Sequence, residues 1–375
     1  MARSSGGNCV TWPEDTKMHP YQQQPDWAFW RRAVSDTAWR DIDLIGMPKF
    51  RLARDAKVAT AGSCFAQHIA RHMRKRGLQP LVVEQAHPLE LAAGRDVKDY
   101  DSFSARYGNV YSSRQMVELL AQALGERPPI DDYAEQDGRT YDLLRPNAIA
   151  NGFDNVAHAR ADRRHHLGRV KHMLQTCDVF VFTLGLTETW FHAEAGHTYP
   201  VCPGTAKGAY DPALHQFRNL THADVLADLR RLWMLLRQAN PAIKLILTVS
   251  PVPLVATHAG QHVLLASSHS KATLRSAVGE FVPEDDGVLY FPSFEIVGHV
   301  ASFGQYLQGD LREVTERGVS HVMGCFFDAL YGEAAAPGAA PAPAPAAPAA
   351  APAIDMARLL SAECEELFND LAPRR

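Results

Sequence analysis

Ser63 and Cys64 are the residues of this chain best placed to do chemistry. They follow the apolar run Val58-Ala-Thr-Ala-Gly62 and precede Phe65-Ala-Gln-His-Ile-Ala-Arg-His-Met-Arg-Lys-Arg76, a pattern that reads as strand, glycine turn and helix. A hydroxyl or thiol at such a junction sits at a helix N-terminus, where unpaired N–H groups and the positive end of the helix dipole stabilise an anion. Ser63 is the first choice as nucleophile, with its own N–H offered to a developing oxyanion. The plain alternative is an N-cap serine. Cys64 competes, because helix N-termini lower thiol pKa values, but as the neighbouring position its side chain should turn elsewhere and pack.

The chain has to hold that turn on a sheet. Short apolar runs without polar alternation, at 58–61, 81–83, 179–184, 245–249 and 288–291, predict five buried parallel strands. Helical spacing at 65–76, 114–124, 157–176, 222–238 and 270–281 alternates with them, which implies a three-layer α/β sandwich. Ser112-x-x-Gln115 resembles a capping box, and Asn240-Pro241 ends the long helix. Ligands in such folds bind at the carboxyl ends of the strands, where strand order reverses. Ser63, residues 185–188, 250–254 and 292–295 all lie just past predicted strand ends, so four segments converge on one face.

Several of these segments resemble the GSCFA-domain family, which stands near the SGNH and GDSL esterases. The resemblance is carried by Gly62-Ser-Cys-Phe-Ala66, Tyr107-Gly-Asn-Val-Tyr111, Phe182-Thr-Leu-Gly-Leu-Thr-Glu-Thr-Trp190, Ser250-Pro-Val-Pro-Leu254, Ala256-Thr257, Ser270-Lys271 and Tyr290-Phe-Pro-Ser-Phe-Glu295. It implies an SGNH-hydrolase-like sheet with flavodoxin-like strand order. It also implies a serine esterase or acyltransferase working on O-acyl esters, in a carbohydrate or polysaccharide setting, through a Ser63 acyl-enzyme. Gly108 and Asn109 resemble one oxyanion block. Gly185-Leu-Thr-Glu188 stands where a Gly-x-Asn-Asp block is expected, so Thr187 replaces the asparagine and, with Glu188, is a candidate for the oxyanion and substrate site. For both, a helix cap or a buried salt bridge is the plainer reading.

The base is the departure. Where the SGNH pattern has Asp-x-x-His, this chain reads Asp310-Leu-Arg-Glu313. His262, after the fourth strand, is the preferred substitute, oriented by Asp310; His321 and Glu313 are the alternative bases. Any single one of 17 histidines is more often structural than catalytic. Trp190, Tyr199 and Tyr290 suit sugar stacking or packing equally. If the lost histidine has not been replaced, the chain is a carbohydrate-binding or scaffold protein on a degenerate fold.

Composition excludes other classes. Nearly half the chain is hydrophobic and its net charge is −4 with mixed signs, so a large core is expected and the basic footprint of a nucleic-acid binder is missing. No apolar run spans a membrane, no signal-peptide core is visible and the six cysteines are scattered, which together predict a cytoplasmic location with free thiols. The His68/His72 pair and the Arg163-Arg-His-His166 run read as polar helix faces rather than metal ligands. No phosphate loop or dinucleotide fingerprint implies a cofactor.

Around the 50–332 domain the sequence predicts a Trp-rich arm over residues 1–49 that packs on the core. An Ala/Pro-rich linker follows at 333–353, then a short amphipathic helix within 354–375 that could dock on a protein partner.

Overall fold

The structure is a computed structural model that describes residues 19–63, 66–85, 100, 103–147 and 151–332. The predicted linker and C-terminal helix, and Cys64, lie outside the described residues. The chain divides into two compact units, Met1–Asp43 and Leu44–Arg375. In the first, 3₁₀ turns at Pro20–Gln23 and Asp26–Ala28 lead into a π-helical turn at Arg31–Ser35, where Arg32 pairs with Asp26 and lies over the Phe29 ring.

The second unit is an α/β sandwich. Its central sheet is parallel, with strands β1 (Val58–Gly62), β4 (Val179–Leu184), β8 (Lys244–Val249) and β9 (Val288–Tyr290) side by side in that order. Every residue of β1 and β4 is buried, as uninterrupted apolar runs covered on both faces require. The described helices are α1 (Ala66–Lys75), α2 (Ser113–Ala123), α3 (Val156–Thr176), α4 (His222–Ala239), α5 (Val263–Phe281), α6 (Ser293–Gly298) and α7 (Glu316–Tyr331). Ala59, Ala61, Phe180, Phe182, Leu245 and Leu247 point into one core with α2 to α5. By the two-residue alternation of a strand, Thr60, Thr183 and Thr248 face the opposite side, where α6 meets the sheet through a 2.6 Å Thr248–Ser293 hydroxyl contact.

The sheet has four strands, not the five expected. Residues 81–83 begin to pair with β1, through a parallel bridge of Pro80 to Val58 and a 2.9 Å bond from the Leu81 N–H to the Val58 carbonyl. The pairing stops there because Ser104 takes over the edge. Its Oγ accepts the Thr60 N–H at 2.9 Å, and its carbonyl accepts the Val83 N–H at 2.8 Å. The chain still passes to one side of β1 before returning to β4 on the other, so the reversal of direction falls at β1.

Two elements have no counterpart in the sequence reading. A hairpin, β2 (Tyr133–Gln136) with β3 (Arg139–Asp142), precedes α3. A three-stranded antiparallel sheet, β6 (Thr198–Tyr199), β5 (Glu188–His192) and β7 (His215–Asn219), leaves the end of β4. The α2 cap differs in detail from a capping box. Ser112 Oγ accepts the Gln115 N–H, but Gln115 Oε1 reaches the N–H of Tyr111, one residue earlier.

The reading of Arg163 and His166 as a solvated helix face is overturned. Arg164 and His165 are exposed, but Arg163 and His166 are buried. His166 Nδ1 lies 2.7 Å from Glu84, and burial, reinforced by Arg145, pushes its imidazole down to about 4. An imidazole lowered in this way takes up its proton first in the unfolded chain. Stability is therefore complete above the ordinary value near 6.5 and drains away as pH falls from there toward 4. Up to about 3 kcal/mol is at stake, since each tenfold change in proton affinity is worth ~1.4 kcal/mol. Thermal melts across that window should show the decline, and His166→Gln should flatten it; a wild-type midpoint constant from pH 6.5 to 4 would contradict the burial of a neutral ring.

Candidate active site

β1 ends at Gly62, whose φ of +139° is unfavourable for any side chain, and a Cβ there would stand 2.4 Å from the Thr183 carbonyl oxygen. Glycine thus lets the tip of β1 lie against β4. Ser63 follows, its N–H donating to Thr183 O at 3.2 Å, and its carbonyl receives the Ala66 N–H at 2.8 Å as α1 begins. The N–H expected to face an oxyanion is committed to β4. Ser63 is only 3 % exposed, and among the described residues its Oγ has no hydrogen-bond partner. It does not cap the helix at Ala66; it lines a cleft of about 440 Å³ at the strand ends.

Several loops build that cleft with Ser63. Residues 108–111 bond to the ends of both β1 and β4: the Val110 N–H bonds Gly62 O at 2.9 Å, and Tyr111 O accepts the N–H groups of Gly185 and Leu186 at 2.8 and 3.1 Å. Tyr111 lines the cleft. Gly108, with φ +67°, and Asn109, whose carbonyl accepts from Gln115, stand outside its lining.

After β4, Thr187 is fully buried, giving its hydroxyl proton to Asn219 at 2.6 Å and its N–H to Ser270 Oγ at 2.9 Å. Buried Lys271 donates to Gly185 O at 2.7 Å. Ser270-Lys271 is thus a clamp from α5 on the β4–β5 loop, a role that its spacing in the sequence does not disclose. Glu188 does line the cleft, with both carboxylate oxygens engaged, by Thr257 Oγ1 at 2.5 Å and the His258 N–H at 3.1 Å.

The structure brings none of the expected bases to Ser63. His262 is exposed and caps α5, its Nδ1 accepting the Leu264 N–H at 3.2 Å. Asp310 is exposed and closes a turn by accepting the N–H groups of Arg312 and Glu313 at 3.0 and 3.1 Å. His321, on α7, stacks on Tyr306. None of these, nor Glu313, lines the cleft; His258 and Arg312 do. His258 packs its ring on Trp190 and Phe217 at centroid distances of 5.0 and 5.1 Å. It lies in the same peptide as His262, four residues closer to the strand end, and that proximity was the signal the sequence offered. Of the three candidate stacking aromatics only Trp190 reaches the cleft, edge-on to Tyr210. Tyr199 and Tyr290 pack instead, their phenols donating to Asp132 at 2.5 Å and Glu295 at 2.6 Å.

Among the described residues no cluster of three or more His, Cys, Asp or Glu could hold a metal ion, and no helix is long and apolar enough to cross a membrane.

No curated protein matches the chain. Solved structures similar to it include a carbohydrate esterase family 3 protein from Talaromyces cellulolyticus, 13 % identical over 72 % of this chain and 94 % of that one, with a TM-score of 0.29. A mutant acetyl esterase with an acetate ion is 12 % identical over 72 % and 93 %, TM-score 0.29. A Clostridium thermocellum family 3 carbohydrate esterase is 10 % identical over 73 % and 94 %, TM-score 0.27. Residues 57–326 match the sequence profile of the GSCFA family, from one residue before β1 into α7, and the chain belongs to that family.

Proposed function

We propose that this protein is a serine-dependent esterase or acyltransferase acting on O-acyl esters, with a saccharide as the alcohol. The observation that carries the reading is the Ser63 hydroxyl: it is buried, has no hydrogen-bond partner among the described residues, and lies in the wall of a cleft. A buried polar atom without a partner costs free energy, which is tolerated where that atom has a chemical task. In this reading Ser63 Oγ attacks the acyl carbonyl while an imidazole takes its proton. The carbon–oxygen bond of the ester breaks, and the departing alkoxide receives that proton. Water then releases the acyl group as an acid, or a sugar hydroxyl accepts it. His258 replaces His262 as the proposed base because it shares the cleft with Ser63. Trp190 and Tyr210 offer aromatic faces for a sugar ring.

A second reading, a binding protein that has lost its chemistry, is favoured by a specific observation. The N–H groups of Ser63 and Gly185 are both bonded within the fold, and Glu313 occupies the position where SGNH enzymes keep histidine. A fluorophosphonate probe with intact-mass readout separates the two. The enzyme reading expects one adduct that vanishes in Ser63→Ala and forms about 10²–10⁴-fold more slowly in His258→Ala. Absence of labelling from pH 6 to 9.5 selects the binding protein.

A further inference from the structure

Resting on the reading of Ser63 as an acyl acceptor, we infer that the cleft takes an ester whose acyl group is a hydrocarbon chain of several carbons, rather than an acetyl group. One wall is the loop after β8, where Val252, Pro253, Leu254, Val255 and Ala256 line the cleft in succession. Leu186 and Val201 line it from other loops.

What distinguishes the β8 wall is how few donors it offers: between residues 250 and 256 only the N–H groups of Val255 and Ala256 have no partner among the described residues. Pro251 and Pro253 have no N–H. The N–H of Val252 is taken by Ser250 Oγ at 3.3 Å, and that of Leu254 by Ser267 Oγ at 3.0 Å. The polar side chains next to it are also turned to each other, since Thr257 gives its proton to Glu188, whose second oxygen holds the His258 N–H. A hydroxylated ligand laid along this wall would lose hydrogen bonds to water and gain few in return. A hydrocarbon chain loses none and buries apolar surface.

Size agrees with chemistry. The cleft's volume of about 440 Å³ lies within the range of roughly 300–1,000 Å³ typical of sites for drug-sized ligands. With the saccharide in place, an acetyl group would leave the aliphatic side of the cleft to water. The saccharide half of the ester is then held on the Trp190–Tyr210 side and the acyl chain on the aliphatic side.

The test is binding of methyl acetate, methyl butanoate, methyl hexanoate and methyl octanoate to the Ser63→Ala protein, followed by calorimetry, so that no turnover is needed. Affinity is expected to rise about two- to fourfold for each added methylene. Val255→Asp, at a position already 37 % exposed, should abolish that rise without unfolding the protein, as checked by circular dichroism. Equal affinity for the acetyl and octanoyl esters overturns the inference, as does an undiminished slope in Val255→Asp. Failure here is distinct from failure of the catalytic reading: a steep slope in a protein that no fluorophosphonate labels keeps the acyl-chain site and removes the acyl-enzyme. Labelling with a flat slope does the reverse.

Discussion

Gly62→Ala is expected to lower the unfolding free energy by about 4 kcal/mol, combining backbone strain with overpacking. The new methyl carbon would meet the Thr183 carbonyl oxygen at 2.4 Å and its Cβ at 2.7 Å. These belong to a neighbouring strand, not to a flexible side chain that could swing away. Relief requires β1 to part from β4 at the end where Ser63 stands, so fluorophosphonate labelling should fall together with stability. Gly108→Ala is the control: φ is also positive there, but nothing lies within 4 Å of the added carbon, and a cost of only about 1 kcal/mol is expected. Urea unfolding of both variants checks the pair. A Gly62→Ala midpoint matching that of Gly108→Ala would mean that the strand tips do not touch.

The second large effect lies away from the cleft, at the end of the hairpin. Asp142 is buried and accepts from Arg145 Nε at 2.9 Å, Arg163 Nη1 at 3.5 Å and the Leu144 N–H at 2.9 Å. Burial alone would raise its carboxyl, but Arg163 and Arg145 more than reverse this and hold it below the usual carboxylate value. Asp142→Asn leaves two buried guanidinium groups facing an uncharged amide, and removal of one charge from such a cluster typically costs about 3–5 kcal/mol. The loss should appear in urea titrations at pH 7 and shrink as pH falls below the ordinary carboxylate value of 3.8, where the unfolded chain takes up its proton first and the wild-type advantage drains away. A cost below ~1 kcal/mol would show that water reaches these arginines.

Much of the scaffold was legible because long apolar runs and helical spacing are local signals. Strands 179–184 and 245–249 and the helices near 66, 114, 157 and 222 stand where the sequence put them. Residues 81–83 failed because pairing is a contest for one strand edge, and the winner, Ser104, is more than twenty positions away and polar. The three-stranded sheet was missed because β6 has two residues and β5 was read only as a motif block. Arg163 and His166 were misplaced because their compensation comes from Asp142, Gln122 and Glu84 on other elements, which helical spacing cannot reveal. The position of Ser63 at a strand-to-helix turn was plain from Gly62. The partners of its loops were not, since Lys271 and Thr257 act through contacts made 86 and 69 residues away.

The Glu188 carboxylate, gripping Thr257 Oγ1 and the His258 N–H from the start of β5, ties one rim of the cleft to the other before any ligand arrives. The ordering of that rim is therefore spent when the chain folds, and an incoming molecule has little loop freedom left to quench. Selectivity in such a mouth comes from shape already set, as in a lock, more than from a lid that closes around whatever has entered.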